Sequence, residues 1–153
     1  LDNIQSDEAT YNNMNRVVLS CDVEKEGSAF RIATTHFRWT PDGQPDNGQR
    51  EEMKALLYLL SGAGEFILCG DFNAPRGLPG QGGEIFAMLA SRFKDNVPAK
   101  YTTSIDGSLH RNGPLPHMVD GLFTTPSYVA SDVRLEFGVS DHAAIIGTIS
   151  KVE

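Results

Sequence analysis

The 153-residue sequence is poor in cysteine, tryptophan and cationic side chains, and it holds no apolar run near the roughly 18 residues that a membrane helix needs. Cys21 and Cys69 lie in separate apolar segments that read as strands. Cysteine there behaves as a small buried hydrophobe, so a disulfide is disfavoured. Thirteen Lys and Arg against twenty Asp and Glu leave a formal charge of −7, which repels polyanions at long range and disfavours tight non-specific duplex binding by this chain alone. A small phosphate ester escapes that exclusion, as does a nucleic acid held by local contacts and bridging cations, because a cation inverts the local field. No short repeat recurs, and no Gly-Lys-Ser/Thr occurs to make a nucleotide-binding P-loop. No basic-then-apolar leader opens the chain at Leu1, so any targeting peptide is expected to have been removed or never to have existed. Localisation stays open.

Forty per cent apolar residues suffice for one core, and the length suits a single domain over 1–153. Residues 1–15 are polar and aperiodic and read as a loop leading into the fold. Arg16 to Val23 and Ala29 to Thr35 are β-branched-rich runs around Glu24-Lys25-Glu26-Gly27, a hairpin pattern. Met53, Leu56, Leu57 and Leu60 recur at helical spacing, with Asp46 or Asn47 as the cap. Glu65 to Cys69 reads as a strand buried on both faces. A Gly/Pro-rich loop, Gly70 to Gly83, then leads to a second helix carrying Ile85, Phe86, Leu89 and Phe93. Strands are expected near Met118 to Thr124, Val129 to Phe137 and Ala143 to Ser150. The mixture predicts an α/β or α+β class with a substantial sheet.

Chemistry concentrates where strands end. Asp71 and Asn73 stand two apart, and on extended backbone they project to one side while Phe72 points to the core. A carboxylate beside a carboxamide could polarise a water and hold a phosphoryl oxygen. The plainer alternative is a turn begun by Asp-x-Asn. An EF-hand fails, because position 5 of a loop starting at Asp71 is Pro75 and position 12 is Gly82, where a bidentate Glu is required. Ser140-Asp141-His142 cannot be a catalytic triad, since neighbouring side chains diverge and no Gly-x-Ser-x-Gly elbow is present. Asp120 interrupts the apolar run Met118-Val119-Asp120-Gly121-Leu122-Phe123 and needs a partner there. A histidine is the natural one, because a carboxylate orients an imidazole. His36 follows Ile32-Ala33-Thr34-Thr35, again at a strand end. Trp39 could stack on a substrate base or sugar, although a single loop aromatic more often packs locally. Arg76, His110, Arg111 and His117 lie in loops and could contact phosphate oxygens, solvated positions being the simpler reading.

In order, Thr34-Thr35-His36-Phe37, Gly70-Asp71-Phe72-Asn73, Tyr101-Thr102, Val119-Asp120-Gly121-Leu122-Phe123 and Ser140-Asp141-His142 resemble the endonuclease/exonuclease/phosphatase superfamily, also called DNase-I-like. The resemblance runs from about Arg16 to Ile149 and corresponds to the later half of that fold. It implies the C-terminal half of a four-layer α/β/β/α sandwich, with a mostly antiparallel mixed sheet and flanking helices. It further implies His142 as catalytic imidazole and Asp120 as its orienting carboxylate. Asp71 would align the attacking water and contact the metal, and Asn73 would bind the phosphoryl oxygen. Asp141 would sit on the metal side, and His36 would contact phosphate or assist the leaving group. Mg2+ or Mn2+ is the implied cofactor. The implied substrate is a phosphate ester such as a nucleic acid, a phospholipid head group, an inositol phosphate or a protein-linked nucleotide adduct.

Two departures qualify the resemblance. The family's metal-binding Glu and its companion Asn belong to the earlier half, and Glu8, Glu24, Glu26 and Glu65 stand in unrelated contexts. The strand bearing Asp120 opens His117-Met118-Val119, where an Arg is common in the family. The expectation is therefore a partial domain, completed by an N-terminal half from the same parent or from another chain. The alternative is a non-catalytic binding or assembly module that keeps the fold without a working metal site.

Overall fold

The computed structural model describes residues 17–77 and 83–152. The polar segment expected over 1–15 lies outside the described residues, as does part of the loop expected between Gly70 and Gly83. The chain opens with a hairpin of β1 (Val18–Lys25) and β2 (Ser28–His36). Lys25 pairs with Ser28 across a two-residue turn in which Glu26 and Gly27 both take positive φ, the geometry whose twist matches a hairpin. A 3-10 turn at Pro41–Gly43, not expected from the sequence, precedes α1 (Asn47–Ser61). Asp46 caps that helix by accepting from the Gln49 N–H at 2.8 Å.

Next come β3 (Ile67–Asp71), α2 (Gly83–Ala90), the short β4 (Lys94–Asp95), β5 (Asp120–Thr124), β6 (Tyr128–Glu136) and β7 (Ala144–Lys151). Five strands form one sheet in the order β1-β2-β3-β5-β4. Only β2 and β3 run parallel, with α1 making the crossover, and the other pairs are antiparallel. β6 and β7 form a separate two-stranded sheet, with a register shift between Ser131 and Arg134. The fold is thus a helix layer, a mixed sheet and a second small sheet, as the implied half-sandwich requires.

β3 carries the alternation that builds both interfaces. Leu68 joins Met53, Leu56, Leu60, Ile85, Phe86, Leu89, Phe72 and Phe123 in the core under the helices. Ile67 joins Leu122, Met118, Val97, Tyr128 and Leu135 in the core beneath β6 and β7. Phe72 is fully buried and meets Phe86 and Phe123 edge-on, with centroids 5.4 and 5.7 Å apart. Gly70 permits the close parallel approach of β2, since a Cβ there would lie 2.1 Å from the Thr35 carbonyl oxygen.

Several sequence expectations need correction. β3 runs on to Asp71 rather than stopping at Cys69, because Gly70 and Asp71 keep pairing with both neighbours. Phe93 lies beyond α2 and reaches the core from the following turn, edge-on to Phe66. Cys21 is exposed on β1, the sheet's edge strand, so only Cys69 is partly buried, and both thiols are free. Val17, Leu19 and Val23 are likewise exposed at that edge. No helix among the described residues is long and apolar enough to cross a membrane.

The packing predicts a sharp contrast between two aromatic positions. Phe72→Ala is expected to lower stability in urea unfolding by about 3–5 kcal/mol. Tyr58→Ala, at a side chain 81% exposed, is expected to change it by about 0.5 kcal/mol or less.

Candidate active site

Strand register assembles the site. His36 pairs with Asp71 across β2 and β3, and Asp71 pairs with Asp120 across β3 and β5. Residues at one level on adjacent strands share a face, so these three side chains form a row across three neighbouring strands. His142 joins them from the start of β7. Its Nδ1 lies 2.7 Å from Asp120 Oδ2, a charge-assisted hydrogen bond that orients the ring and leaves Nε2 without a protein partner among the described residues. That bond holds the imidazolium above its ordinary pKa, against the opposing effect of partial burial. The partner expected for Asp120 is therefore His142.

The segment Ser104–Asp106, which sequence reasoning missed, clamps both members of this pair. Ser104 is fully buried, and its Oγ accepts from the Val119 and Asp120 N–H groups at 3.1 and 3.3 Å. Its carbonyl accepts from Ala143 N, and Ile105 bridges to His142. Buried Asp106 accepts from Ser108 N–H and hydroxyl through Oδ1 and from Gly138 N–H at 2.7 Å through Oδ2, while its own N–H donates to the Asp141 carbonyl. These bonds, the Ser108 hydroxyl first among them, keep its carboxyl below the usual range. The available signal was Tyr101-Thr102, whose neighbours turn out to be the strut. Ser140 shapes the adjoining turn by accepting from His142 N and donating to the His142 carbonyl, so its hydroxyl is spent on backbone.

Asp71 and Asn73 reach the site differently from the extended pattern expected. Asn73 takes φ 47°, and its N–H donates to Asp71 Oδ1 at 2.7 Å, so the pair also makes the turn that was the plainer alternative. Asn73 Nδ2 donates to the Phe37 carbonyl at 2.7 Å, which sets the amide orientation. His36 Nε2, 2.9 Å from the same nitrogen, must then be an acceptor. Both amide hydrogens are engaged, so Asn73 holds His36 in place. Buried Gln49 supports the turn, donating from Nε2 to the Arg38 and Asn73 carbonyls.

Burial and the facing Asp120 carboxylate push Asp71 up to about 6, although the Asn73 N–H and His142 oppose the shift. Ligand atoms of Asp71, Asp120 and His142 all lie within 4.8 Å of one another. Two facing carboxylates that resist joint ionisation offer the hard oxygen donors a divalent cation prefers, and a cation would relieve their repulsion. His142 Nδ1 is occupied by Asp120, so the fit rests on oxygens.

The remaining candidates divide. Trp39 lines a hollow of ≈ 230 Å³ with Asn73, His142, His110, Arg111 and His117. Arg76 does not join it: its guanidinium donates to Asp95 Oδ2 and to the Val97 and Pro98 carbonyls, bracing a loop. Asp141 is exposed and outside the carboxylate and imidazole cluster, its carbonyl serving Asp106. A separate hollow of ≈ 450 Å³, between β1, β2 and the end of α1, shares none of these residues, whereas one of ≈ 530 Å³ is lined by Arg76 and Asp95.

Two predictions follow from this geometry. Asp71 keeps its proton to about 6 when folded, against about 3.9 unfolded, so stability falls as pH rises between those values. The His142 pairing is complete below its unfolded pKa of about 6.5 and fades as pH rises through its higher folded value. The urea midpoint in metal-free buffer is therefore expected to fall from pH 5 to pH 8. Asp71→Asn should flatten the lower part of that slope, and Asp120→Asn should lower the His142 titration midpoint read by NMR. Separately, Ser104→Ala removes a buried acceptor shared by two N–H groups and is expected to cost about 1–3 kcal/mol in the same unfolding assay.

No family model matches the sequence, and no curated protein matches it. Solved structures do. An endonuclease/exonuclease/phosphatase from Beutenbergia cavernae matches at TM-score 0.67 and 18% identity, over 89% of this chain and 39% of that one. TDP2 from D. rerio, complexed with a single-strand DNA product, matches at 0.61 and 18%, over 90% and 63%. A mannosyl-6-phosphatase from Bacteroides thetaiotaomicron matches at 0.56 and 15%, over 82% and 52%. The chain thus spans less than two thirds of the length of each, and at these identities the likeness is one of fold. The chain has the DNase-I-like fold of endonuclease/exonuclease/phosphatase proteins, corresponding to its C-terminal half.

Proposed function

We propose that this chain carries the phosphate-activating side of a divalent-metal-dependent hydrolase of phosphodiester or phosphomonoester bonds. The observation that supports it most is the row His36, Asp71 and Asp120, closed by the 2.7 Å bond from His142 to Asp120. Both titrating groups are shifted upward, Asp71 by burial and His142 by its carboxylate, and perturbed groups gathered at one cleft favour a site for proton chemistry.

In this reading Asp120 fixes His142 through the bond to Nδ1, and the free Nε2 donates to a phosphoryl oxygen. Asp71 aligns the attacking water through Oδ2, its Oδ1 being held by Asn73. Asn73 presents His36 to the phosphate and can exchange that contact for a phosphoryl oxygen. Mg2+ or Mn2+, held by the oxygens of Asp71 and Asp120, would supply charge neutralisation at the phosphate. Asp141, exposed beside His142, would add negative charge on the metal side of the centre. The remaining strands of the sandwich would come from the same parent or another chain. The exposed Leu19 and Val23 on β1, with Val17 just before it, support such a cover. Neighbours include a protein holding a DNA product and a sugar phosphatase, so the fold leaves the ester open.

The test is turnover of bis-p-nitrophenyl phosphate and of p-nitrophenyl phosphate by the protein with the rest of its fold supplied, in Mg2+, Mn2+ or EDTA. Metal-dependent hydrolysis is expected, with His142→Ala and Asp71→Ala each lowering kcat by about 100-fold or more. Absence of metal-dependent turnover, or full activity in both variants, would overturn the reading.

A further inference from the structure

We infer that the hollow beside the His142–Asp120 pair binds a nucleoside phosphate, with the base stacked on Trp39. This deepens the hydrolase reading and rests on it for the position of the phosphate. The hollow has Asn73 and His142 among its walls, so a group seated in it lies next to the row of catalytic candidates. Its volume of ≈ 230 Å³ is below the range of about 300–1,000 Å³ typical of drug-sized ligands, which suits one ring and its attached group rather than several nucleotides.

The lining selects among phosphate esters. The Trp39 and His117 rings meet at 5.8 Å and 49°, too close to admit a third ring between them, so they form one aromatic wall. Trp39 is 45% exposed, leaving area on which a base can stack. The indole is braced from behind: a Cβ on Gly43 would stand 3.3 Å from Trp39 Cη2 and 2.8 Å from Pro75 Cγ. Ile105, Leu115 and Val119 supply apolar surface.

The polar groups are chiefly donors. His110 Nδ1 accepts from the Asn112 N–H at 3.2 Å, so its proton sits on Nε2, where it can be donated to an anionic oxygen. Arg111 is exposed and makes no ion pair among the described residues. No carboxylate lines the hollow among the described residues, although the chain carries a net charge of −7. A bare sugar carries neither a flat ring for the aromatic wall nor a negative charge for Arg111. A flat base with anionic oxygens matches both the wall and the donors.

Hydrogen bonds within the chain hold the loop that carries these donors. His110 N–H donates to the Asp106 carbonyl at 2.8 Å, Gly113 N–H donates to the His110 carbonyl at 2.8 Å, and the Thr103 hydroxyl donates to the Leu115 carbonyl at 2.7 Å.

Trp39 is the chain's sole tryptophan, so its fluorescence reports on this hollow alone. In EDTA, AMP is expected to quench it saturably and to bind at least tenfold tighter than ribose 5-phosphate, with inorganic phosphate weaker still. By calorimetry, Trp39→Ala should cut AMP affinity about tenfold, and Arg111→Ala, on the exposed rim, should cut it severalfold. Comparing AMP with a five-nucleotide oligoadenylate decides whether a free nucleotide or a strand end is preferred. Equal affinity for AMP and ribose 5-phosphate, or unchanged AMP binding in Trp39→Ala, would overturn the inference. Metal-dependent turnover with no base preference would remove it and keep the hydrolase, whereas base-selective binding without turnover would do the reverse.

Discussion

The hydrogen bond from His142 to Asp120 joins two sheets that otherwise meet mainly through apolar packing and a bond from the Arg31 N–H to the Tyr128 hydroxyl. Asp120 opens β5 in the five-stranded sheet, and His142 stands just before β7 in the two-stranded one. The bond thus sets how the second sheet sits over the first at the end where the other polar groups collect. Its geometry is secured by backbone rather than by further charged groups: Ser104 holds Asp120 from below, and Ile105 and Asp106 hold the turn that delivers His142. Those supports can be specific because their partners are N–H and C=O groups with fixed directions.

The same arrangement concentrates negative charge. Asp71 and Asp120 face one another on paired strands, and neither is well exposed, with side-chain exposures of 19% and 17%. Two buried like charges are unfavourable unless one is protonated or a cation intervenes, and the upward shift of Asp71 expresses that tension. Polar groups held at some cost to stability, on elements fixed by large aromatic contacts, are what a site for charged chemistry requires. The burial of Phe72 supplies the rigidity: it anchors the turn that carries Asp71 on one side and Asn73 on the other.

Much of this was legible residue by residue. The alternation in β3, the spacing of Met53, Leu56 and Leu60, the Asp46 cap and the need of Asp120 for an imidazole all follow from local periodicity or from the penalty on a buried charge. The bracing part of Arg76 was not legible, because a loop arginine can serve carbonyls as readily as a phosphate, and only the placement of Val97 and Pro98 shows the carbonyl contacts. Asn73 was placed in the right neighbourhood on the wrong geometry, since its left-handed backbone depends on the turn closing against Phe37. Ser104 and Asp106 escaped notice because a serine and an aspartate in a polar loop carry no periodic signal. Their importance comes wholly from long-range partners.

What the sequence determined by itself was the inventory: which strands and helices form, which side faces the core, and which chemical groups stand at strand ends. Those outcomes depend on neighbours within a few positions, where side-chain periodicity and propensity act directly. Only the tertiary structure decided that His36, Asp71 and Asp120 share one level across three strands, that His142 closes on Asp120, and that Trp39, His110, Arg111 and His117 line one hollow. These are matters of register and sheet packing, and a shift of one residue in any pairing would turn the same side chains to opposite faces.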